Sequence, residues 1–328
     1  VIAPHGHPAP PTPLPIPPTT GLALCVLASG SAGNCAALVF RPAPGAPRRI
    51  VLLDAGLSPN RTAKLLLQRG IRPHEVDDIV FTHLDSDHCH PGWPNAIRPG
   101  GWRARLRIHR RHLGRAERAG LLCRHTEPFE SELTIDPHLH ASVCTSEHDS
   151  LGVAAFRFVA HCEHGQTHLG YATDLGAVTN TLTRLMQGVD LLAIESNYCP
   201  VLQHASDRPE FLKRRIMGGA GHLSNAESAD AARVIDPRQH LVLLHLSRQC
   251  NTPERALAAH AQHRPAEAGG RRTTITDQHR PTTWIPITPG PQRAATKPVA
   301  QAVAQPAFAR PAFPRSLFDL PARNGDAW

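Results

Sequence analysis

The sequence predicts an α/β protein, a layered sandwich made from two half-chains, and three observations carry that expectation. Short apolar strands alternate with helices from about residue 21 to 119, and again from about 168 to 263. Between them, residues 121–160 lack helical periodicity and hold only short β-like runs. A length of 328 residues, with 41% hydrophobic and 5% aromatic content, can bury one large core or two modest ones.

Residues 1–20 carry eight prolines and no Asp, Glu, Lys or Arg, the composition of a polyproline-like disordered arm. Residues 22–27 read as a buried strand, and 28–35 as a glycine-bearing turn into a second strand at 36–40, a hairpin opening. A phosphate-cradling loop would need a Gly-Lys-Ser/Thr element and a following helix, which are absent there. Residues 48–53 form a strand ending in Asp54, after which Ser58 and Pro59 supply the cap and first turn of a helix that Gly70 ends. Residues 78–81 and 106–109 are strands, and 110–119 a helix. In the second half, strands at 168–173, 190–195 and 240–245 alternate with helices at 177–187, 209–217, 224–235 and 253–263. From residue 266 the chain is rich in Pro, Ala and Arg and reads as a disordered tail, which leaves 21–265 as the folded domain.

Composition excludes several classes. No apolar run of about 18 residues exists, and the start of the sequence is Pro-rich rather than charged and then apolar. The expectation is a cytoplasmic protein without a membrane partner; nothing in the pattern specifies an oligomeric state. Eight scattered cysteines with no Cys-x-x-Cys pair point to reduced, buried thiols. A net charge of +8 leans toward an anionic partner.

The chemistry concentrates in Thr82-His83-Leu84-Asp85-Ser86-Asp87-His88, where a strand runs into a tight loop. Imidazole and carboxylate both bind divalent first-row metals, and a strand end can turn His83, Asp85 and Asp87 toward one spot beside His88. Later strand ends supply His148, Asp174 and His245 in polar turns. The run resembles the His-x-His-x-Asp-His signature of the metallo-β-lactamase superfamily, with Asp85 where a second His is usual. Further stretches are similar to its YycJ/WalJ branch: Leu27 through Cys35, Leu53-Asp54-Ala55-Gly56, Gly170-Tyr171-Ala172-Thr173-Asp174, Glu195-Ser196-Asn197, Gly221-His222-Leu223-Ser224-Asn225 and His245-Leu246-Ser247-Arg248.

That resemblance implies a four-layer αββα sandwich between the two tails and two divalent metal ions, zinc or manganese, with magnesium as a further option. One metal would be held by His83, Asp85 and His148, the other by Asp87, His88 and His245, with Asp174 bridging. It also implies a 5′-to-3′ exonuclease acting on the ends of double-stranded DNA through a metal-bridging hydroxide. In such a site Asp87 and Asp174 hold the metals, Asp54 orients a ligating His, and His222 contacts the phosphate or protonates the leaving oxygen. Asp85 replaces a borderline nitrogen by a hard oxygen, which favours manganese or magnesium over zinc. For the substrate, residues 98–118 hold eight arginines against one acid; Arg110 and Arg111 are the candidate phosphate contacts, with Trp93 and Trp102 as stacking candidates. Two other functions fit the same residues: a small-molecule hydrolase opening an ester, a lactone or a cyclic phosphodiester, and a nucleic-acid-binding protein whose metals only stabilise it.

Overall fold

The computed structural model describes residues 20–98, 100–148, 150–219, 221–262 and 271–289. The Pro-rich arm and the tail beyond 289 lie outside the described residues. In chain order the elements of the first half are β1 (Gly21–Ala28), β2 (Cys35–Arg41), β3 (Arg49–Leu53), α1 (Pro59–Leu67), β4 (Asp78–Val80), α2 (Trp93–Ala96), β5 (Arg105–His109), α3 (Leu113–Arg118) and β6 (Thr126–Phe129). There follow β7 (Glu132–Asp136), β8 (Leu139–Ser146), β9 (Val153–Cys162), β10 (Gly165–Ala172), α4 (Asn180–Met186), β11 (Leu191–Glu195), α5 (Pro200–Ala205), α6 (Glu210–Met217), α7 (Asn225–Ile235), β12 (His240–Leu244), α8 (Pro253–Gln262), β13 (Arg272–Ile275) and β14 (Ile285–Ile287).

The strands form two seven-stranded sheets, ordered β14-β1-β2-β3-β4-β5-β6 and β13-β12-β11-β10-β9-β8-β7. Period-two alternation decides what each face meets. Leu22, Leu24 and Val26 of β1 turn into the core between the sheets, with Phe156, Phe158, Leu169 and Val242 from the other sheet. Cys25 and Leu27 turn outward onto α1 to α3, through Leu65, Leu66, Trp93 and Ala116. The second sheet is covered likewise by Leu182 and Met186 of α4, Ala231 and Ile235 of α7, and Ala256 of α8. The order helix, sheet, sheet, helix is the αββα sandwich that the resemblance implies.

Strands β3 to β6 pair in parallel, as do β10 to β13. Parallel neighbours need crossovers, and these bring the carboxyl ends of the strands to one edge, where sites in open α/β sheets collect. Helix signals work as read. Ser58 accepts from Arg61 N at the start of α1, and Ser224 and Glu227 form a capping box on α7.

The domain boundary at 266 is corrected. β13 pairs in parallel with β12, and β14 antiparallel with β1, so residues 271–289 complete one edge of each sheet. Edge strands bond through their backbone, and two buried isoleucines, Ile285 and Ile287, suffice to anchor β14. Composition does not register so short a commitment. All eight cysteines are free; Cys25, Cys35, Cys199 and Cys250 are buried as expected, whereas Cys89, Cys123, Cys144 and Cys162 are only half-buried. Among the described residues no helix is long and apolar enough to cross a membrane.

Candidate metal centre

The carboxyl ends of β3, β4, β10, β11 and β12 deliver Asp54, His83, Asp174, Glu195 and His245, and β8 leads into His148. Among the described residues only four non-glycine positions have positive φ, and three of them are here: Asp54 at 61°, Asp174 at 53° and His245 at 55°. Each turns left-handed where its strand stops, a conformation that costs of order 1–3 kcal/mol and survives only where surrounding bonds hold it. Those bonds are present. Asp54 accepts from Thr82 N at 2.8 Å and Thr82 Oγ1 at 2.9 Å, and Asp174 accepts from Thr173 Oγ1 at 3.0 Å. His245 N donates to Ser29 Oγ at 2.8 Å, across to the loop after β1.

All seven predicted donors converge. His83, Asp85 and His148 form one group, and Asp87, His88 and His245 another, each with its donor atoms within 4.8 Å of one another. Asp174 lies between them: its Oδ2 is 2.7 Å from His88 Nε2 and its Oδ1 3.2 Å from His245 Nδ1. The outer ring atoms are tied down as ligating imidazoles require. His88 Nδ1 lies 2.8 Å from Asp54 Oδ2, and His148 Nδ1 lies 2.9 Å from the Gly221 carbonyl.

Electrostatics say what the cluster lacks. His83 Nε2 and His245 Nε2 are buried and have no hydrogen-bond partner. An orphaned polar atom in a low-dielectric site costs about 1–3 kcal/mol, so their lone pairs are placed for something absent from the protein chain. Burial pushes His245 down, but Asp174, Asp87 and Glu195 outweigh it and raise its pKa to about 10. Burial likewise opposes His88, yet Asp174 and Asp54 hold it well above its ordinary value. The buried carboxylates favour positive charge at this spot, and the donor set therefore fits divalent metal.

Sequence reasoning assigned no role to Glu195. Its buried carboxylate meets His222 Nδ1 at 2.6 Å and His245 Nδ1 at 3.5 Å, and accepts from Leu175 N at 2.7 Å. An acid ending the apolar strand β11 at complete burial was the available signal. His222 lines a cleft of about 430 Å³ with Asp85, Asp87, His148 and Asp174. The arginine run fares differently from its reading as a phosphate-binding patch. Arg105 and Arg107 pair with buried Asp78 at 2.8 and 2.7 Å, Arg110 with Glu130 at 3.4 Å, and Arg115 with Asp85 at 2.6 Å. Arg111 is exposed and lines a second cavity beside His148. Trp93 is 1% exposed and Trp102 packs on it at 4.9 Å between ring centroids, so both serve packing.

A two-sheet sandwich with a His/Asp cluster across the carboxyl ends of its strands defines a metal-dependent hydrolase class. The chain belongs to the beta-lactamase superfamily, whose domain it matches over residues 49–246. It is similar to the exodeoxyribonuclease WalJ of Streptococcus pneumoniae, 28% identical over 246 residues that cover 72% of this chain and 86% of that protein. The exodeoxyribonuclease YycJ of Bacillus anthracis is 27% identical over 244 residues, with the same shares covered. In fold, the metallo-beta-lactamase fold protein YhfI of Bacillus subtilis superposes with a TM-score of 0.56 at 16% identity, covering 80% of this chain and 99% of that one.

Proposed function

We propose that this hydrolase cleaves phosphodiesters, as a 5′-to-3′ exonuclease on double-stranded DNA. The observation that carries the reading is the pair of donor groups meeting at Asp174 on the floor of an open cleft. The names of its two curated relatives supply the substrate class.

His83, Asp85 and His148 would hold one divalent cation and Asp87, His88 and His245 the other, with Asp174 shared. Bound there, such a pair supplies Lewis acidity toward a phosphate oxygen and acidifies water near neutral pH. The chain does the rest. Asp54 fixes the ring of His88, and the Gly221 carbonyl that of His148, so that Nε2 of each faces the cluster. Glu195 lies 2.6 Å from His222 Nδ1 and orients the ring, which leaves Nε2 at the cleft wall to give a proton to the departing oxygen. Glu195 also lies against His245, so one carboxylate orients both a donor and the proton source.

The test is a linear duplex labelled at either 5′ or 3′ end, incubated with protein loaded with zinc, manganese or magnesium after chelation. The expected result is stepwise release of nucleotides from the 5′ end, falling roughly a hundredfold or more with Asp87→Ala. Turnover of a model ester or lactone with no digestion of the duplex would transfer the site to small-molecule hydrolysis.

A further inference from the structure

One feature of the cleft is absorbed by neither the metal cluster nor the proton donor. Its far wall is the turn before α6 and α6 itself, through Arg208, Leu212, Arg215 and Ile216. Among the described residues Arg208 reaches only amide oxygens, those of Gln249 at 3.0 Å and Gln203 at 3.3 Å. Arg215 is exposed and in no ion pair with a described carboxylate. It also lines the adjoining cavity of about 780 Å³, together with His148 and Arg111. Two unneutralised guanidinium groups on one wall and a third across the next cavity describe a track for a polyanion past the donor cluster.

Beside that track stands Phe211, 70% exposed, the most exposed large apolar side chain among the described residues. Spacing of i, i+4 sets it next to Arg215 on the helix surface, one residue from cleft-lining Leu212. A soluble protein has no packing reason to hold a phenyl ring in water there, whereas an aromatic interleaved with arginines is what stacks on bases while the backbone is gripped. The helix has its own small footing, with Ile216, Leu212 and Met217 packing on Tyr198 and Cys250. It is therefore a fixed shelf and not a loose loop.

The geometry points to α6 as the shelf that seats a duplex end, with Phe211 stacking on the terminal base and Arg208, Arg215 and Arg111 on successive phosphates. This inference rests on the nuclease reading above and adds to it the residues that recognise an end. Binding is measured by fluorescence anisotropy with the metal-loaded full chain and a labelled duplex whose terminal linkages are phosphorothioate, across a range of KCl concentrations. Arg208→Ala and Arg215→Ala should each lower the slope of log affinity against log salt by about 0.9. Phe211→Ala should weaken binding to linear duplex roughly five- to tenfold and leave binding to a closed circle unchanged. Arg233→Ala on α7, an exposed charge on the outer helical layer, is the control and should match the wild type. If the wild type binds and digests DNA while all three variants bind as it does, the shelf is refuted and the nuclease stands. Equal loss on circle and linear duplex with Phe211→Ala refutes end stacking. A wild type that binds no duplex at all refutes both.

Discussion

Asp85 is where this chain departs from its family's pattern, and its surroundings show how the departure is accommodated. One carboxylate oxygen lies 2.6 Å from Arg115, and the other is 3.7 Å from His83 Nε2. The neighbouring His83 ring and then the Arg115 guanidinium, against the opposing effect of burial, hold the carboxyl well below its usual range. Arg115 thus offsets the negative charge that Asp85 adds while leaving an oxygen donor directed at the first triad. Donor hardness, not net charge, becomes the difference from a three-imidazole site, and hard donors favour manganese over zinc relative to imidazole. Asp85→His should therefore raise the ratio of zinc to manganese retained after dialysis against an equimolar mixture by several-fold, read by elemental analysis. An unchanged ratio would take Asp85 out of the choice of metal. This residue was legible because it sits inside a contiguous motif. Its partner was not, because Arg115 is one of eight arginines in a run and only the fold selects it.

The loop that carries Asp85, Asp87 and His88 closes on itself where His88 N and Cys89 N donate to the Asp85 carbonyl, and beyond that it is held by its neighbours. Asn34 N donates to the Asp87 carbonyl at 2.7 Å, Ala55 N to that of His88 at 2.8 Å, and His90 N to that of Ala55 at 2.8 Å. The closeness this demands explains Gly56: a Cβ there would lie 1.8 Å from the Asp87 carbonyl oxygen. Gly33 is confined in the same way, its Cβ position being 2.6 Å from the Gly56 carbonyl oxygen. Gly56→Ala must push the loop away, an overpacking cost of about 3 kcal/mol. Expected are a fall of several degrees in melting temperature and a loss of bound metal per chain, although no donor has been removed. Full metal content at the wild-type melting temperature would contradict the close approach. Strands, helices and caps were readable because each rests on local periodicity and local hydrogen bonds. Short α2 and α5 escaped notice, as did the role of α6 at the cleft, since a helix shows its orientation only once packed.

Apart from β14, which crosses back to the first sheet, each half-chain supplies one sheet, and what couples them is distributed in a way that local patterns do not express. Ser29, after β1, binds the backbone of His245, after β12, so a donor of one sheet is fixed by a loop of the other. The C-terminal segment adds a second coupling. It runs from β13 at the edge of one sheet to β14 at the edge of the other, and between them Gln278 accepts from Ala32 N at 2.9 Å and donates to the Gly33 carbonyl at 2.8 Å. That loop in turn bonds Asp87, so a strap that contains no metal donor supports the donor cluster at two removes. Reading it as tail followed from the Pro, Ala, Thr and Arg content of the chain from residue 266, because its ties run through backbone groups and polar side chains such as Thr274, Thr276, Gln278 and Thr282, which leave no apolar pattern. Ending the chain after Gly270 removes β13, β14, Ile285 and Ile287, at a cost of roughly 3–6 kcal/mol from the two isoleucines alone. The truncated protein should melt well below the full chain and bind metal less tightly. Gln278→Ala, which spares both strands, should retain most of the stability and still weaken metal binding, because it frees the loop that steadies Asp87. Were Gln278→Ala to bind metal as the wild type does while the truncation does not, the strap would act through sheet edges alone and not through the glycine loop.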